Sequence, residues 1–245
     1  MKSFGITDKG KVRKENQDSY IIENCDKRKS VVISICDGMG GAKAGDLASQ
    51  LACKAFVTGV YEALLSPKVF TESYEKILKA SCADANGVVY EYSGFDPNYN
   101  GMGTTLVGGI ITRHKAHLVN VGDSRAYHLS KDGIYQITKD HSYVNELIAM
   151  GAIKPEEAAT HPKKNIITRA LGVDNAVEAD YYTMDLNKGD CILLCSDGLS
   201  NMVSDAEIYE VYKKNKKPEY ICRTLMSMTL ERGARDNVSV VTVLI

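Results

Sequence analysis

The chain has 245 residues, of which 44% are hydrophobic, and its 30 basic side chains are balanced by 31 acidic ones. This near-zero balance argues against a nucleic-acid-binding or membrane-surface protein, since both usually carry a basic excess. The apolar runs are too short for a transmembrane helix, and the first residues lack the apolar stretch of a signal peptide. We therefore expect a cytoplasmic protein that binds neither nucleic acid nor membranes.

Short β-branched runs alternate with amphipathic helical stretches, with no fixed-period repeat, low-complexity tract or linker between them. This organisation predicts one domain of mixed helix and strand over residues 1–245. The predicted strands span residues 19–23, 30–36, 104–112, 115–121, 126–129, 134–137, 190–195 and 238–245. Lys131-Asp132-Gly133 predicts a hairpin turn, because Asp and Gly tolerate the positive φ angle that such a turn requires.

Two long helices are predicted between the second and third strands. One spans about residues 46–65, and the other begins after Thr71 as its N-cap. Near the end of the chain, Ser204-Asp205-Ala206-Glu207 is a capping box that predicts a third helix, and Pro218 lies in the first turn of a fourth. The hairpin and the paired helices favour an α+β fold with helices stacked on antiparallel sheets over a doubly wound parallel sheet.

Residues 140–171 differ from their surroundings. They contain short helical segments at 142–150 and 155–159 and a polar turn at 161–165. We interpret this stretch as a small surface insertion, a flap that lies near the working face.

The seven cysteines are odd in number, have no C-x-x-C spacing and lie mostly inside apolar runs. This pattern predicts reduced, buried thiols that act as small hydrophobic side chains, in preference to a disulfide framework or a thiolate metal site.

Four aspartates stand at the ends of apolar runs: Asp37 and Asp197 follow nearly continuous ones, Asp123 follows another, and Asp236 precedes the last strand. Each could be simple turn punctuation, as Asp132 is in the predicted hairpin. A carboxylate at the end of a strand buried on both faces, however, carries a desolvation cost unless positive charge meets it. We therefore favour one converging set over four separate turns.

Carboxylates that converge repel one another, and divalent cations remove that repulsion. An all-oxygen donor set without a Cys or His ligand pattern selects hard ions such as Mg²⁺ or Mn²⁺ over zinc or copper. Gly38, beside Asp37, would let a backbone carbonyl or a water molecule come close to such an ion.

Six short motifs occur along the chain in a fixed order. They are Arg13-Lys14-Glu15-Asn16-Gln17-Asp18, Asp37-Gly38-Met39-Gly40-Gly41, Gly101-Met102-Gly103-Thr104-Thr105, Gly122-Asp123-Ser124-Arg125, Ser196-Asp197-Gly198 and Asp236-Asn237. In this order they resemble the metal-dependent serine/threonine protein phosphatases of type 2C (the PPM family) in their compact bacterial form. The resemblance implies a four-layer αββα sandwich of two antiparallel sheets flanked by helix pairs, with two metal ions at one end.

The resemblance also implies a set of metal ligands. Asp37 would bridge both ions, with the Gly38 carbonyl on the second. Asp197 and Asp236 would complete the shell of the first ion. Asp123, together with Asp197, would hold a third and weaker ion.

The catalytic roles that the resemblance implies fall on Asp37 together with Asp18 and Arg13. Asp18 would act near the metal cluster through metal-bound water, and Arg13 would bind the substrate phosphate, for which a planar bidentate donor is well suited. Water activated by the two ions would attack phosphorus directly and in line, without a phosphoenzyme. The substrates would be phosphoserine and phosphothreonine proteins, including a cognate bacterial serine/threonine kinase, and we expect a monomer.

The chain departs from the family pattern where many relatives carry a histidine. Met39 replaces the histidine that follows the first Asp-Gly in many animal relatives, and Ala42 replaces the one that follows Gly-Gly in many bacterial ones. Gln17 precedes Asp18, where glutamate is also frequent. The identity of the general acid is therefore open. Metal-bound water is the default, and His141 and His161 are candidates if the insertion folds over the site.

Other phosphate chemistries leave recognisable patterns in a sequence. No cysteine has an arginine six residues on, which excludes a cysteine-based phosphatase. Residues 5–12 nearly fit a P-loop, but Val12 stands where a Ser or Thr hydroxyl belongs. The remaining alternative is a catalytically silent relative that binds phosphopeptides or regulatory partners, and the retained aspartates and Arg13 argue against it.

Overall fold

The computed structural model describes residues 1–40, 44–158 and 160–245, which form two antiparallel sheets. The first sheet has the strand order β1 (Lys2–Asp8), β11 (Val238–Leu244), β10 (Cys191–Cys195), β7 (Arg125–Ser130) and β8 (Gly133–Gln136). The second has the order β2 (Asp18–Cys25), β3 (Ser30–Met39), β5 (Leu106–Ile111), β6 (Lys115–Val121) and β9 (Asp180–Asp185). The short strand β4 (Gly103–Thr104) pairs with the end of β3.

Helix pairs cover the outer faces of the two sheets. Helices α1 (Ala44–Leu65) and α2 (Tyr74–Ser93) share an apolar core with the second sheet. Helices α6 (Asp205–Lys214) and α7 (Pro218–Glu231) share one with the first. Three short helices, α3 (Tyr143–Ala149), α4 (Pro155–Ala158) and α5 (Asp197–Ser200), lie in the connections.

The central strands are apolar throughout because both of their faces are buried. In β3, Val32 and Cys36 pack towards the helices, whereas Ile33 and Ile35 enter the core between the sheets. Side chains alternate between the two faces of a strand, so a strand buried on both faces needs apolar residues at nearly every position. The predicted four-layer sandwich is confirmed.

The predicted strands are all present, but two edge strands, β1 and β9, were not predicted. Their residues are largely half-buried or exposed, because an edge strand of this kind buries less of its surface than a central one. The predicted strand over residues 104–112 is divided at Thr105, which bonds the backbone of Asp37 instead of continuing the ladder.

The helix predictions need one correction. Thr71 is not the N-cap of α2, because Ser73 precedes the helix and its Oγ accepts a hydrogen bond from the Lys76 amide at 3.2 Å. The capping box at Ser204 is confirmed. The hairpin at residues 131–133 is also confirmed, and Gly133 has a φ of 150° there.

The seven cysteines are all buried, and none forms a disulfide. In the insertion, α4 ends at Ala158, and the predicted helix end at Ala159 lies outside the described residues. Among the helices that the structure describes, none combines the length and the apolar character needed to cross a bilayer.

Candidate active site

The predicted site residues come from both sheets and meet at one end of the sandwich. Asp18 and Asp37 are opposite each other in the β2–β3 ladder. Asp197 follows β10, and Asp236 precedes β11. A cavity of about 290 Å³ is lined by six of the predicted site residues, namely Arg13, Asp37, Gly38, Asp123, Asp197 and Asp236.

Gly38 allows the N-terminus of α1 to pack against the end of β3. A Cβ atom at this position would lie 1.9 Å from the carbonyl oxygen of Gly45, and the Gly38 amide donates to the Gln17 carbonyl at 3.0 Å. No side chain fits in that space. The glycine that the sequence associates with metal access is therefore required by backbone packing.

Thr105 holds the backbone of Asp37 in place. The Asp37 amide donates to Thr105 Oγ1 at 2.9 Å, and the Thr105 amide donates to the Asp37 carbonyl at 2.9 Å. Thr105 Oγ1 also lies 2.8 Å from Ser124 Oγ, next to Asp123. The sequence marks Thr105 only as part of a motif, and its bracing role becomes visible only in the structure.

Asp18 lies behind the cavity and joins the two sheets. Its side chain is buried, and Ser196 Oγ donates to its Oδ2 at 2.7 Å. Ser196 Oγ in turn accepts from the Ser239 amide on β11 at 3.0 Å. A carboxylate on one sheet is thus fixed by hydroxyl and amide groups of the other.

Asn237 holds the N-terminal loop that carries Arg13. Its Oδ1 accepts from the Gln17 amide at 2.8 Å, and its Nδ2 donates to the carbonyls of Lys9 and Glu15 at 2.9 Å each. The side chain is buried, and both its amide oxygen and its amide nitrogen form hydrogen bonds. Sequence reasoning missed this role, although a polar Asn directly before a wholly apolar strand is a signal for it.

Arg13 pairs with Asp236 across the cavity entrance, with Nη2 2.7 Å from Oδ2. Asp236 raises the pKa of Arg13. Arg125, which follows the Asp123 segment in sequence, does not pair with these aspartates and binds Asp140 instead, through Nη2 at 2.7 Å and Nε at 3.0 Å. Asp236 is therefore paired with an arginine that lies 223 positions away in sequence.

The aspartates raise one another's pKa. Burial, followed by repulsion from Asp18 and Asp197, holds the pKa of Asp37 well above its usual range. Burial raises the pKa of Asp18 to about 7, and burial with repulsion from Asp197 raises that of Asp123 to about 7. Burial and repulsion from Asp236 raise the pKa of Asp197 to about 6. Within the residues that the structure describes, the negative charge of this site exceeds its positive charge.

The donor set fits a hard divalent cation. One oxygen of Asp18 and one of Asp197 are buried and accept no hydrogen bond from any donor in the described residues. Oxygen donors of this kind are what Mg²⁺ and Mn²⁺ prefer. Within the same residues, no group of three or more His, Cys, Asp or Glu side chains has an arrangement that could hold a metal ion.

The two histidines considered as general acids form hydrogen bonds with residues outside the cavity. His141 is buried, accepts from the Gly122 amide at 3.1 Å through Nδ1, and has its Nε2 3.1 Å from Asp180. His161 Nδ1 accepts from the Lys163 amide at 3.1 Å. Neither lines the cavity, so both brace loops.

The insertion forms part of the cavity wall. Asn165 and Ile167 line the cavity together with Met39. Ala42, which replaces the histidine that follows Gly-Gly in many bacterial relatives, lies outside the described residues, as does Gly41 of the motif. The side of the cavity that faces the insertion is thus lined by amide and apolar groups.

Known proteins share both the sequence pattern and the fold. Residues 10–236 match the family model described as Protein phosphatase 2C. The chain is 39% identical to the serine/threonine phosphatase stp of Listeria innocua over 240 residues, which are 97% of this chain and 93% of that protein.

Two solved structures extend the comparison. The crystal structure of the serine/threonine phosphatase Stp1 from Staphylococcus aureus has a TM-score of 0.90 and 37% identity, covering 99% of this chain and 94% of that one. The catalytic domain of the serine threonine protein phosphatase PstP in complex with two manganese ions has a TM-score of 0.83 and 33% identity, covering 98% and 96%. With its carboxylates gathered beside one arginine at the end of this sandwich, the chain belongs to the protein phosphatase 2C family.

Proposed function

We propose that this chain is a metal-dependent protein serine/threonine phosphatase that hydrolyses phosphoserine and phosphothreonine. The observation that carries the proposal is the single cavity in which aspartates from both sheets lie beside Arg13. A cluster of buried carboxylates with raised pKa values is costly to the fold, and such clusters occur where function requires them. The family relatives named as serine/threonine phosphatases support the assignment.

The proposed cofactors are two Mg²⁺ or Mn²⁺ ions, with a third at a weaker site. Asp37, the Gly38 carbonyl, Asp197 and Asp236 would hold the two ions, and Asp123 would share the third with Asp197. When bound, such ions lower the pKa of a water molecule and neutralise negative charge at the phosphoryl group. The two-manganese complex of the related PstP domain supports this choice.

The chain's own residues position the phosphate and the water. Arg13 presents a planar guanidinium at the cavity entrance, where it would bind two oxygens of the phosphate and favour in-line attack. Asp18, fixed by Ser196, would orient water at the base of the cavity. The described cavity lining contains no histidine, so no imidazole in it protonates the leaving alcohol.

We further propose the setting in which this activity operates. The chain would act as a monomer in the cytoplasm, with residues 1–245 as one catalytic domain and residues 140–171 as a flap over the cleft. Its substrates would be proteins phosphorylated by a cognate serine/threonine kinase, and the kinase itself. Seven buried, unpaired thiols accord with a reducing compartment.

Hydrolysis assays test the proposal. The purified chain should release phosphate from an aryl phosphate and from a phosphothreonine peptide with Mn²⁺, and should lose both activities in EDTA. Asp37→Asn should be inactive, whereas Asp132→Asn, in the exposed hairpin, should match the native chain. Mn²⁺ binding without hydrolysis of either substrate would instead identify a silent phosphopeptide-binding relative.

A further inference from the structure

A second cavity opens beside the candidate active site. Its volume is about 370 Å³, and Asp197 and Asp236 belong to the walls of both cavities. The second cavity therefore continues the first along the surface, on the side of Lys164, Arg232 and Arg235. A peptide whose phosphorylated residue enters the first cavity would pass over these basic side chains.

Two of the three basic groups are free to meet a ligand. Arg232 is neutralised, since it forms a two-pronged ion pair with Glu207. Arg235 and Lys164 are exposed, and neither side chain has an ion pair or hydrogen bond within the described part of the chain. The cavity thus offers two unpaired positive charges.

Arg235 is held at the cavity by its neighbours, although its own side chain has no partner. The carbonyl of Ala234 accepts from the Lys11 amide at 2.9 Å, and Asn237 is bonded on both ends of its amide. Asp236 cannot easily pair with Arg235, because Arg13 binds its Oδ2 and the Asn237 amide donates to its Oδ1 at 2.9 Å. The backbone is fixed while the cation stays available.

We propose that Lys164 and Arg235 form a subsite that selects phosphopeptides with acidic residues flanking the phosphorylated serine or threonine. The subsite deepens the proposed function and rests on it. An aspartate or glutamate two or three residues from the phosphorylated residue would reach the second cavity, since an extended chain rises about 3.3 Å per residue. Charge complementarity at such a rim sets specificity more than overall affinity.

The test compares matched phosphothreonine peptides that differ only in Asp or Ala at two and three residues on either side. For the native chain with Mn²⁺, kcat/KM should be about three- to tenfold higher for the acidic peptide on one side. An exposed ion pair contributes about 0.2–1 kcal/mol, or 1.4- to fivefold, and two cations take part. The Lys164→Gln/Arg235→Gln double variant should bring this ratio close to one, and Lys164→Glu/Arg235→Glu should reverse it.

The ratio is measured within one enzyme preparation, so changes in total activity do not affect it. Lys131→Gln/Lys188→Gln removes the same charge at turns on the far ends of β7 and β10 and should leave the ratio unchanged. Raising the salt concentration should weaken the preference of the native chain only. Equal rates on all peptides, or a ratio that survives the Lys164/Arg235 changes, would overturn the subsite, whereas no hydrolysis of any peptide would overturn the proposed function itself.

Discussion

At the scale of single residues, the described part of the site carries several aspartates and, in ion-pair contact with them, one arginine. Burial and mutual repulsion raise the pKa values of Asp37, Asp18 and Asp197, while Arg13 forms an ion pair with Asp236. Arg13 is more than half exposed, so its ion pair with Asp236 contributes little to stability. We therefore expect Arg13 to contribute to substrate binding more than to the stability of the fold.

Arg13→Ala should lower kcat/KM for a phosphothreonine peptide about 10²- to 10³-fold, the usual cost of removing one donor that stabilises charge in the transition state. Arg13→Lys should recover only part of the loss, because a single ammonium cannot bind two phosphate oxygens at once. The Mn²⁺ concentration for half-maximal effect should not rise in either variant. A variant that loses its response to Mn²⁺ would contradict the assignment of Arg13 to phosphate.

At the scale of elements, the functional groups are positioned by contacts between segments whose backbones come close together. The end of β3 fits against α1 because Gly38 has no side chain, and the loop over residues 9–17 is tied to β11 by Asn237. Both contacts join segments that are separate in sequence. Each can be tested by one substitution with a matched control.

Gly38→Ala should destabilise the fold by about 3 kcal/mol or more, since its Cβ would overlap the Gly45 carbonyl and the neighbouring backbone cannot move aside freely. The control is Gly87→Ala, where an added Cβ meets nothing within 4 Å inside α2. That change should stabilise the chain by about 0.5–1 kcal/mol through helix propensity. Urea unfolding measures both, and equal effects of the two substitutions would show that close packing at Gly38 is unimportant.

Asn237→Ala should cost about 2–4 kcal/mol, because it leaves buried backbone groups of the N-terminal loop without partners. It should also lower kcat/KM, since Arg13 loses its fixed position. The exposed Asn187→Ala serves as the control and should change neither quantity. Hydrogen exchange should show faster exchange in residues 9–17 of the Asn237 variant, and unchanged exchange there would argue against the clamp.

At the scale of the whole molecule, the site lies across two sheets that are held together by apolar contacts. Ile33 and Ile35 of one sheet pack with Ile192 and Leu194 of the other. The charged groups of the site lie where the strands end, outside this apolar core. Ligand binding at that end should therefore stabilise both sheets together.

Mn²⁺ at about 100 times its Kd should raise the free energy of unfolding by about 2.7 kcal/mol, which corresponds to about 5–10 °C in Tm for a chain of this size. Asp37→Asn on the second sheet and Asp197→Asn beside the first should each abolish the shift. The hairpin variant Asp132→Asn should keep it. If only one of the two site variants lost the shift, the ion would be held by one sheet alone.

From the sequence alone, local patterns predicted the central strands and a converging set of aspartates, whereas the four layers and the roles of Arg13 and Asp18 followed from the resemblance to the PPM family. Continuous apolar runs such as residues 31–36 identify strands buried on both faces, and the aspartates that follow them identify one end of the sandwich. These are local signals, because burial and side-chain alternation are imposed on each strand separately. Two edge strands with little buried surface, β1 and β9, were missed, whereas the edge strands β2 and β8 were predicted.

The tertiary structure alone decided which groups touch. The Arg13–Asp236 pair joins residues 223 positions apart, and the contact of Ser196 with Asp18 spans 178. The arginines next to the aspartates in sequence do not pair with them, since Arg125 binds Asp140 and Arg235 has no ion pair in the described residues. Such contacts depend on how two sheets stack and where their loops cross, which no local pattern encodes.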